Sequence, residues 1–320
     1  MKEFQIGKNE ADQRLDKYLK KLLPNAGSNF LYKMLRKKNI VWNGKKADGS
    51  EKVQTGDMIQ IYFTDETFEK FSGISQSGVA IASKNLVANV PADQLDIIFE
   101  DEDIVIINKP SGMLSQKASP EDVSANEYLI SYLLHTGAVS ESELNTFKPS
   151  ICNRLDRNTS GLLIAGKSLK GLQQMSAMLK ERTIKKYYRC IVSGNVTQPS
   201  HIQGYLKKDE KTNRVSIQSH AFEDAKYIET EYQPLQTDGV NTLLEVHLIT
   251  GRSHQIRAHL ASIGHPIIGD TKYGNRAVND TWRKRSHIKS QLLHAYRMEL
   301  PDGRIFTAPT GTEFNQILQK

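Results

Sequence analysis

The chain has 320 residues, and its 43 Lys and Arg against 36 Asp and Glu give a net charge of +7. This length suits one large domain or two unequal domains, and the positive excess has the sign expected of a polyanion binder. Cys152 and Cys190 form no metal-binding or redox spacing, so the sequence predicts neither a disulfide framework nor a zinc site. With no signal-peptide core and no apolar run of about 18 residues, we expect a cytoplasmic protein without membrane segments.

Residues 1–65 are predicted to form a small basic module, because 13 Lys and Arg stand there against 8 Asp and Glu. Apolar residues recur at helical spacing from Leu15 to Leu23, and Pro24 ends the pattern. A second helix is predicted to follow, with Ser28 as its N-cap. The strand Ile40–Trp42 then meets Asn43-Gly44, which is a strong hairpin turn signal.

Two helices with a basic face followed by a hairpin sheet resemble the RNA-binding module of ribosomal protein S4. The matching stretches are 14–19, 41–46 and 55–57. The resemblance implies RNA binding by this module, and its clustered charges favour that interpretation over a solvated helix pair without a ligand. The candidate RNA contacts are the cations Arg14, Lys17, Lys33, Arg36 and Lys37.

Residues 66–92 are rich in Ser and Gly and have no sustained period, which predicts a linker that lets the module swing. The second domain is predicted to span 93–320. Two short strands open it between 96 and 110, a polar insertion covers 119–149, and a helix covers 169–180. Apolar clusters at 188–192, 242–249 and 292–300 predict further strands. The pattern favours a mixed α/β domain rich in sheet.

The stretch 151–161 places Asp156 between Arg154 and Arg157 on a turn-prone segment that leads into an apolar run. Opposite charges within a few ångströms favour the ionised form of a carboxylate, which can then act as a nucleophile. Arginines can also hold the phosphates of a nucleic acid. The competing interpretation is an Asp that only ties down the turn through backbone amides.

The segment 151–167 resembles the R-L-D-x-x-T-S-G signature of the RluA-type pseudouridine synthases. Four further stretches match that family in the same order, namely 108–112, 186–194, 251–274 and 293–295. The resemblance covers about residues 95–310. It implies an α+β fold with a largely antiparallel central sheet flanked by helices and an active cleft across its middle. It also implies that uracil is detached from its ribose, turned over and rejoined through C5, without metal or cofactor.

The resemblance assigns roles to individual residues. Asp156 would be the catalytic carboxylate, Tyr188 would lie against the target base, and Arg257 would pair with Asp156. Since the uridine must leave its stack, Arg154 is a candidate to fill the vacated space. Candidate phosphate and base contacts are Arg157, Arg252, His254 and Gln255.

One position departs from the family pattern, because Asn153 stands where the family most often has His. An amide donates and accepts hydrogen bonds but carries no proton charge. We expect a monomeric RNA pseudouridine synthase acting on ribosomal RNA of the large subunit, with transfer RNA as the alternative substrate. Asn153 supports a rival, an RNA-binding ribosome-assembly factor with a silent active site. A second rival is a glycosylase that releases free uracil.

Overall fold

The computed structural model describes residues 1–72, 90–141 and 143–318. These residues form a small N-terminal unit around a three-stranded sheet and a larger unit around an eleven-stranded sheet, each with its own hydrophobic core. None of the helices within these ranges combines the length and apolar character needed to cross a bilayer.

The strands are β1 (Lys2–Gln5), β2 (Ile40–Trp42), β3 (Met58–Ile61), β4 (Asp96–Glu100), β5 (Ile104–Lys109), β6 (Ser150–Ile151), β7 (Ser160–Gly166), β8 (Lys185–Ser193), β9 (Ser200–Asp209), β10 (Arg214–Gln218), β11 (Lys226–Thr237), β12 (Asn241–Leu248), β13 (Leu293–Glu299) and β14 (Ile305–Thr307). The helices are α1 (Leu15–Leu22), α2 (Ser28–Arg36), α3 (Asp65–Ser72), α4 (Ala125–His135), α5 (Leu169–Glu181), α6 (Gln255–Ser262), α7 (Arg276–Ser286) and α8 (Thr312–Leu318). Short 3-10 turns cover Ala92–Gln94 and Glu143–Asn145.

The N-terminal unit packs α1 and α2 against the sheet β1-β3-β2. Asn43 and Gly44 both have positive φ, +49° and +70°, which is the conformation that the predicted hairpin turn requires. Gly27, and not the predicted Ser28, occupies the N-cap of α2, because Ser28 is already helical. The strand β3 that follows the turn ends at Ile61.

The predicted linker 66–92 is wrong at its start, because the helix α3 occupies Asp65–Ser72. Its aromatic side chains anchor it to the N-terminal unit: Phe68 stacks on Phe4 at 5.6 Å, and Phe71 lies 4.3 Å from Phe30, measured between ring centroids. Aromatic pairs of this kind stabilise beyond their buried area. Residues 73–89 of the predicted linker lie outside the described residues.

The N-terminal unit also contacts the polar insertion of the larger unit. The Thr146 hydroxyl donates to Glu10, and the Asn9 amide donates to Glu143 at 3.2 Å. Glu10 is buried, and this burial raises the pKa of its carboxyl. The two units therefore share a polar contact in the described structure.

The larger sheet has the strand order β10-β9-β11-β12-β8-β13-β7-β5-β4, with β14 on β13 and β6 on β7. All pairs are antiparallel except β7 with β13. This architecture confirms the predicted α+β class with a largely antiparallel central sheet. Its core holds the buried strands β5, β7 and β8 together with apolar residues of α4 and α5.

The start of β7 joins the two halves of the sheet. Gly161 pairs with Ala295, which also pairs with Tyr188 on β8. Gly161 has φ +107°, and a Cβ there would lie 2.3 Å from the Ala295 carbonyl oxygen, so only glycine fits. The close approach fixes the loop that precedes β7 at the middle of the sheet.

Candidate active site

Asp156 lies on the loop between β6 and β7, and several backbone hydrogen bonds hold that loop. The Thr159 amide donates to the Asp156 carbonyl at 3.0 Å. The Gly112 amide donates to the Arg157 carbonyl, also at 3.0 Å. The loop is thus tied both to itself and to the segment after β5.

Lys109, at the end of β5, also holds this loop in place. Its ammonium group is fully buried and donates to the carbonyls of Pro110, Met113 and Arg157 at 2.9 to 3.0 Å. Three carbonyl acceptors satisfy its three N–H donors. Burial lowers the pKa of Lys109 to about 8, and the charge of Asp156 opposes that shift.

The carboxylate of Asp156 is bound by Arg257 from α6. The Arg257 Nη1 donates to Oδ2 of Asp156 at 2.7 Å. The other side of the guanidinium binds Asp270 in two hydrogen bonds, Nε to Oδ2 at 2.7 Å and Nη2 to Oδ1 at 3.0 Å. Arg257 therefore bridges two carboxylates, of which Asp156 is 28% exposed and Asp270 fully buried.

The charges of this trio stabilise one another. Burial alone would lower the pKa of Arg257, but its hydrogen bonds and charge interactions with Asp270 and Asp156 outweigh burial and raise that pKa. Burial alone would raise the pKa of Asp270, but the bonds and charge of Arg257 outweigh it and hold that pKa below its usual range. Backbone amides of Lys272 and Tyr273 also donate to Asp270. The guanidinium is consequently fixed before any ligand arrives.

Tyr188 on β8 is buried and lines the same cleft as Asp156. Burial, and then the negative charge of Asp156, raise the pKa of Tyr188. Its phenol therefore keeps its proton at neutral pH and can act as a hydrogen-bond donor as well as an acceptor.

Asp156 opens into a cleft of about 730 Å³. Among the residues that the structure describes, the lining includes nine Lys and Arg but only one carboxylate, that of Asp156. The cations are Lys117, Arg154, Arg157, Lys180, Arg182, Lys186, Lys208, Arg252 and Arg257. The positive charge of such a cleft attracts an anionic ligand. Inside the cleft, the ligand would meet the one carboxylate among the described lining residues, that of Asp156.

Asn153 is occupied by the backbone of β7. Its Oδ1 accepts from the Ile164 amide at 2.8 Å, and its Nδ2 donates to the Leu162 carbonyl at 3.4 Å. An amide supplies one acceptor and one donor for this pairing without any charge. The residue thus holds the loop that carries Asp156 to the sheet, so its neutral side chain is weak support for a silent active site.

The predicted contacts fall into separate groups. Arg154 and Arg157 are exposed beside Asp156, but its ion-pair partner is Arg257, 101 residues along the chain. Arg252 is exposed at the cleft. His254 is half-buried, and its Nδ1 is 2.9 Å from the Tyr273 hydroxyl.

Gln255 was predicted as a phosphate or base contact, and the structure corrects that prediction. It is 2% exposed, and both ends of its amide are used within the protein. Its Oε1 accepts from Thr250 and from the Arg252 amide, while its Nε2 donates to the Glu229 carbonyl and the Thr230 hydroxyl. Gln255 therefore ties α6 to β11 and has no free group for a base or phosphate.

The cations predicted in the N-terminal unit do not lie in this cleft. Lys17, Lys33, Arg36 and Lys37 are exposed on α1, on α2 and just after it. Arg14 is also exposed, but its guanidinium donates twice to Asp16 at 3.1 Å. That pairing leaves less of its charge for a phosphate.

Sequence reasoning missed the roles of three residues at the site. Lys109 and Asp270 both lie within stretches that carry the family resemblance, yet nothing in their spacing shows that they fix the Asp156 loop and Arg257. Lys186 is half-buried in the cleft wall, and desolvation and the charge of Arg182 lower its pKa. Its alternation within β8 puts it on the same face as Tyr188, which is a usable signal.

Comparisons with known proteins identify the family to which the sequence is similar. The model of the RNA pseudouridylate synthase family matches residues 103–262. A protein named ribosomal large subunit pseudouridine synthase C from Haemophilus influenzae is 31% identical over 337 residues, covering 100% of this chain and 95% of the relative. A protein named as an uncharacterized RNA pseudouridine synthase from Mycoplasma genitalium is 30% identical, covering 93% and 88%.

Solved structures agree at the level of fold. The human RNA pseudouridylate synthase domain containing 4 superposes with a TM-score of 0.56 at 21% identity, covering 74% of this chain and 94% of that one. The human domain containing 1 gives 0.55 at 22% identity, with 72% and 88% covered.

Proposed function

Because the chain belongs to the RNA pseudouridylate synthase family, an isomerase family, we propose that it converts selected uridines of large-subunit ribosomal RNA to pseudouridine, with Asp156 as its catalytic carboxylate. The observation that carries this proposal is the Asp156–Arg257 ion pair at 2.7 Å in a cleft that is lined by nine described Lys and Arg residues. That geometry suits an anionic polymer whose base must meet a single nucleophile.

The reaction breaks an N-glycosidic bond and forms a carbon–carbon bond to C5 of the same uracil. The Asp156 carboxylate can attack the sugar or the ring, or it can stabilise positive charge developing on the sugar. All three routes need the carboxylate aimed at the nucleotide, and Arg257 holds it in place by the hydrogen bond to Oδ2.

We assign Tyr188 to the base itself. A buried neutral phenol beside Asp156 can pack against the uracil ring and help to manage the proton that leaves C5. Arg157 and Arg252 are exposed at the cleft and are assigned to phosphates, because a guanidinium binds phosphate in two parallel hydrogen bonds.

Ribosomal RNA is proposed over transfer RNA for two reasons. Several relatives similar over most of their length are named as synthases of the large ribosomal subunit. The N-terminal unit adds a second basic surface, with exposed Lys17, Lys33, Arg36 and Lys37, which suits a large folded RNA. We propose that this unit is an S4-type RNA-binding module.

The test is to incubate the purified protein with bulk RNA, map carbodiimide-dependent stops of reverse transcription and assay free uracil. We expect new stops within large-subunit ribosomal RNA and no released uracil. Stops confined to transfer RNA would change the substrate, and released uracil would make the protein a glycosylase. RNA binding without stops would instead favour the assembly-factor alternative.

Arg154 is proposed to stabilise RNA from which the target uridine has been extruded. Extrusion costs a few kcal/mol in folded RNA, and a stacked side chain returns about 1–3 kcal/mol. An Arg154→Ala enzyme should lose kcat/KM roughly tenfold to a hundredfold on a folded substrate but only a few fold on an unstructured strand. Both values are read from pseudouridine formation on the two RNAs.

Arg157→Ala is the matched control, because Arg157 is exposed on the same loop. Because Arg157 is assigned to a phosphate, its removal should weaken the binding of both RNAs to a similar extent. If Arg154→Ala retains full turnover on folded RNA, Arg154 has no role in extrusion.

A further inference from the structure

The helix α7 and the residues after it carry a second concentration of positive charge outside the cleft. Residues 276–289 contain five Lys and Arg and one Asp, a net charge of +4 within a chain of net +7. All five cations are exposed: Arg276, Arg283, Lys284, Arg285 and Lys289. None of them lines the cleft that holds Asp156.

This charge is held on a rigid platform. Trp282 of α7 is buried in a small hydrophobic cluster with Ile268 and Phe314. Asn279 is also buried; its Oδ1 accepts from the Gly269 amide at 2.8 Å, and its Nδ2 donates to the Asp270 carbonyl at 2.9 Å. The helix is therefore fastened to the segment whose carboxylate holds Arg257.

The C-terminal end of this basic stretch adjoins the catalytic loop. Lys289 directly precedes Ser290, whose hydroxyl lies 3.4 Å from that of Ser111. Ser111 in turn donates to the Asn158 carbonyl at 3.0 Å, two residues from Asp156. An RNA strand that leaves the cleft along this side of the loop would meet the cations of α7 next.

We propose that the surface formed by Arg283, Lys284 and Lys289 binds the phosphate backbone of RNA flanking the target nucleotide. The proposal rests on the function proposed above and adds a binding surface to it. Exposed Lys and Arg bind phosphates by displacing condensed counterions, so such contacts raise both the affinity and its dependence on salt. Arg285 is left out, since its guanidinium stacks on Trp282 at 5.3 Å and supports the helix.

The test compares two triple variants of equal charge. Arg283→Gln/Lys284→Gln/Lys289→Gln removes the proposed contacts. Lys148→Gln/Lys170→Gln/Arg304→Gln removes three cations that do not line the cleft and do not lie on α7. Binding to an in vitro transcript of large-subunit ribosomal RNA is measured as a function of salt concentration, alongside binding to a short uridine-containing stem-loop that reaches only the cleft.

For the α7 triple we expect affinity for the long transcript to fall on the order of tenfold near 0.1 M salt. The slope of log affinity against log salt should become shallower by about 0.7–0.9 for each lost contact. Stem-loop binding should stay unchanged, which a merely structural defect would not allow. The Lys284→Gln/Lys289→Gln double, at two exposed positions, should show about two-thirds of the change in slope.

Two results would overturn the proposal. One is an α7 triple whose affinity and slope match those of the unchanged protein. The other is an equal loss in both triples, which would reflect net charge and no particular surface. Failure of the proposed function is a separate outcome, namely a protein that forms no pseudouridine, and the binding comparison can be read even then.

Discussion

An Asp156→Asn enzyme is expected to form pseudouridine at least roughly a thousandfold more slowly than the unchanged protein. The amide has nearly the same shape, and its Oδ1 can still accept a hydrogen bond from Arg257. It carries no negative charge, so it can neither attack as a nucleophile nor stabilise a cationic sugar. Tritium released from RNA labelled at C5 of uridine gives the rate.

The loss should not come from unfolding. The Asp156 side chain is partly exposed, and Arg257 keeps its two bonds to Asp270 when Asp156 changes. A hydrogen bond between charged groups contributes about 1.5–3 kcal/mol, which is less than the 5–15 kcal/mol of a typical stable fold. Thermal unfolding should thus show a small shift, and RNA binding should persist.

Asp302→Asn provides the control, because Asp302 is an exposed carboxylate in the turn between β13 and β14. That enzyme should keep normal turnover. An Asp156→Asn enzyme that converted uridine at the original rate would remove Asp156 from the mechanism and leave the basic cleft as a binding site alone.

The sequence predicts those parts of this fold whose signal is local. The strands around 96–109, the helix at 169–180 and the turn at Asn43-Gly44 follow from period and turn chemistry, and the structure confirms them. The helix α3 was missed because it is mostly polar, and what anchors it are the rings of Phe4 and Phe30, distant in the sequence. Local propensity carries no information on such tertiary contacts.

The site residues also divide into those that the sequence predicts and those that depend on tertiary contacts. The pairing of Asp156 with Arg257 was predicted from the family resemblance, and the 2.7 Å bond agrees with it. Gln255 was misassigned because its partners, Glu229 and Thr230, lie on β11, about 25 residues earlier in the chain. A polar residue in a motif is equally compatible with binding RNA and with holding the motif in place, and only the fold distinguishes the two.

Asp270 is an example of a motif residue that holds other residues in place. It is not among the residues that line the cleft, yet it holds two of the guanidinium nitrogens of Arg257 while the third reaches Asp156. We infer that Asp270 is a positioning residue, which acts on Asp156 through Arg257. The orientation of the proposed catalytic carboxylate, Asp156, thus depends on a buried ion pair behind it.

An Asp270→Asn enzyme is accordingly expected to lose both stability and turnover. Breaking a buried ion pair by removing one partner costs about 3–5 kcal/mol, since the remaining charge is left uncompensated. A misplaced Arg257 should lower kcat on the order of a hundredfold while KM for RNA changes little, because the cations that bind RNA are untouched. Denaturant unfolding and steady-state turnover measure the two effects.

The pH dependence of stability should identify the cause as electrostatic. The pKa of Asp270 is lower in the folded protein than its usual value, because Arg257 outweighs the effect of burial. The unfolded chain therefore binds this proton more readily, and the contribution of Asp270 is present above about pH 4 and is lost as the pH falls through its folded pKa. The difference in stability between the unchanged protein and Asp270→Asn should therefore narrow in acid.

Asp280→Asn is the matched control, because Asp280 lies on α7 with its carboxylate about half exposed and only distant partners, at 3.8 and 4.0 Å. Surface pairs of this kind contribute little, so stability and turnover should both stay close to those of the unchanged protein. A folded Asp270→Asn enzyme with normal kcat would show that Arg257 holds Asp156 without help. A stability difference that stayed constant in acid would mean that the carboxylate acts by its shape and hydrogen bonds, and that its charge contributes nothing.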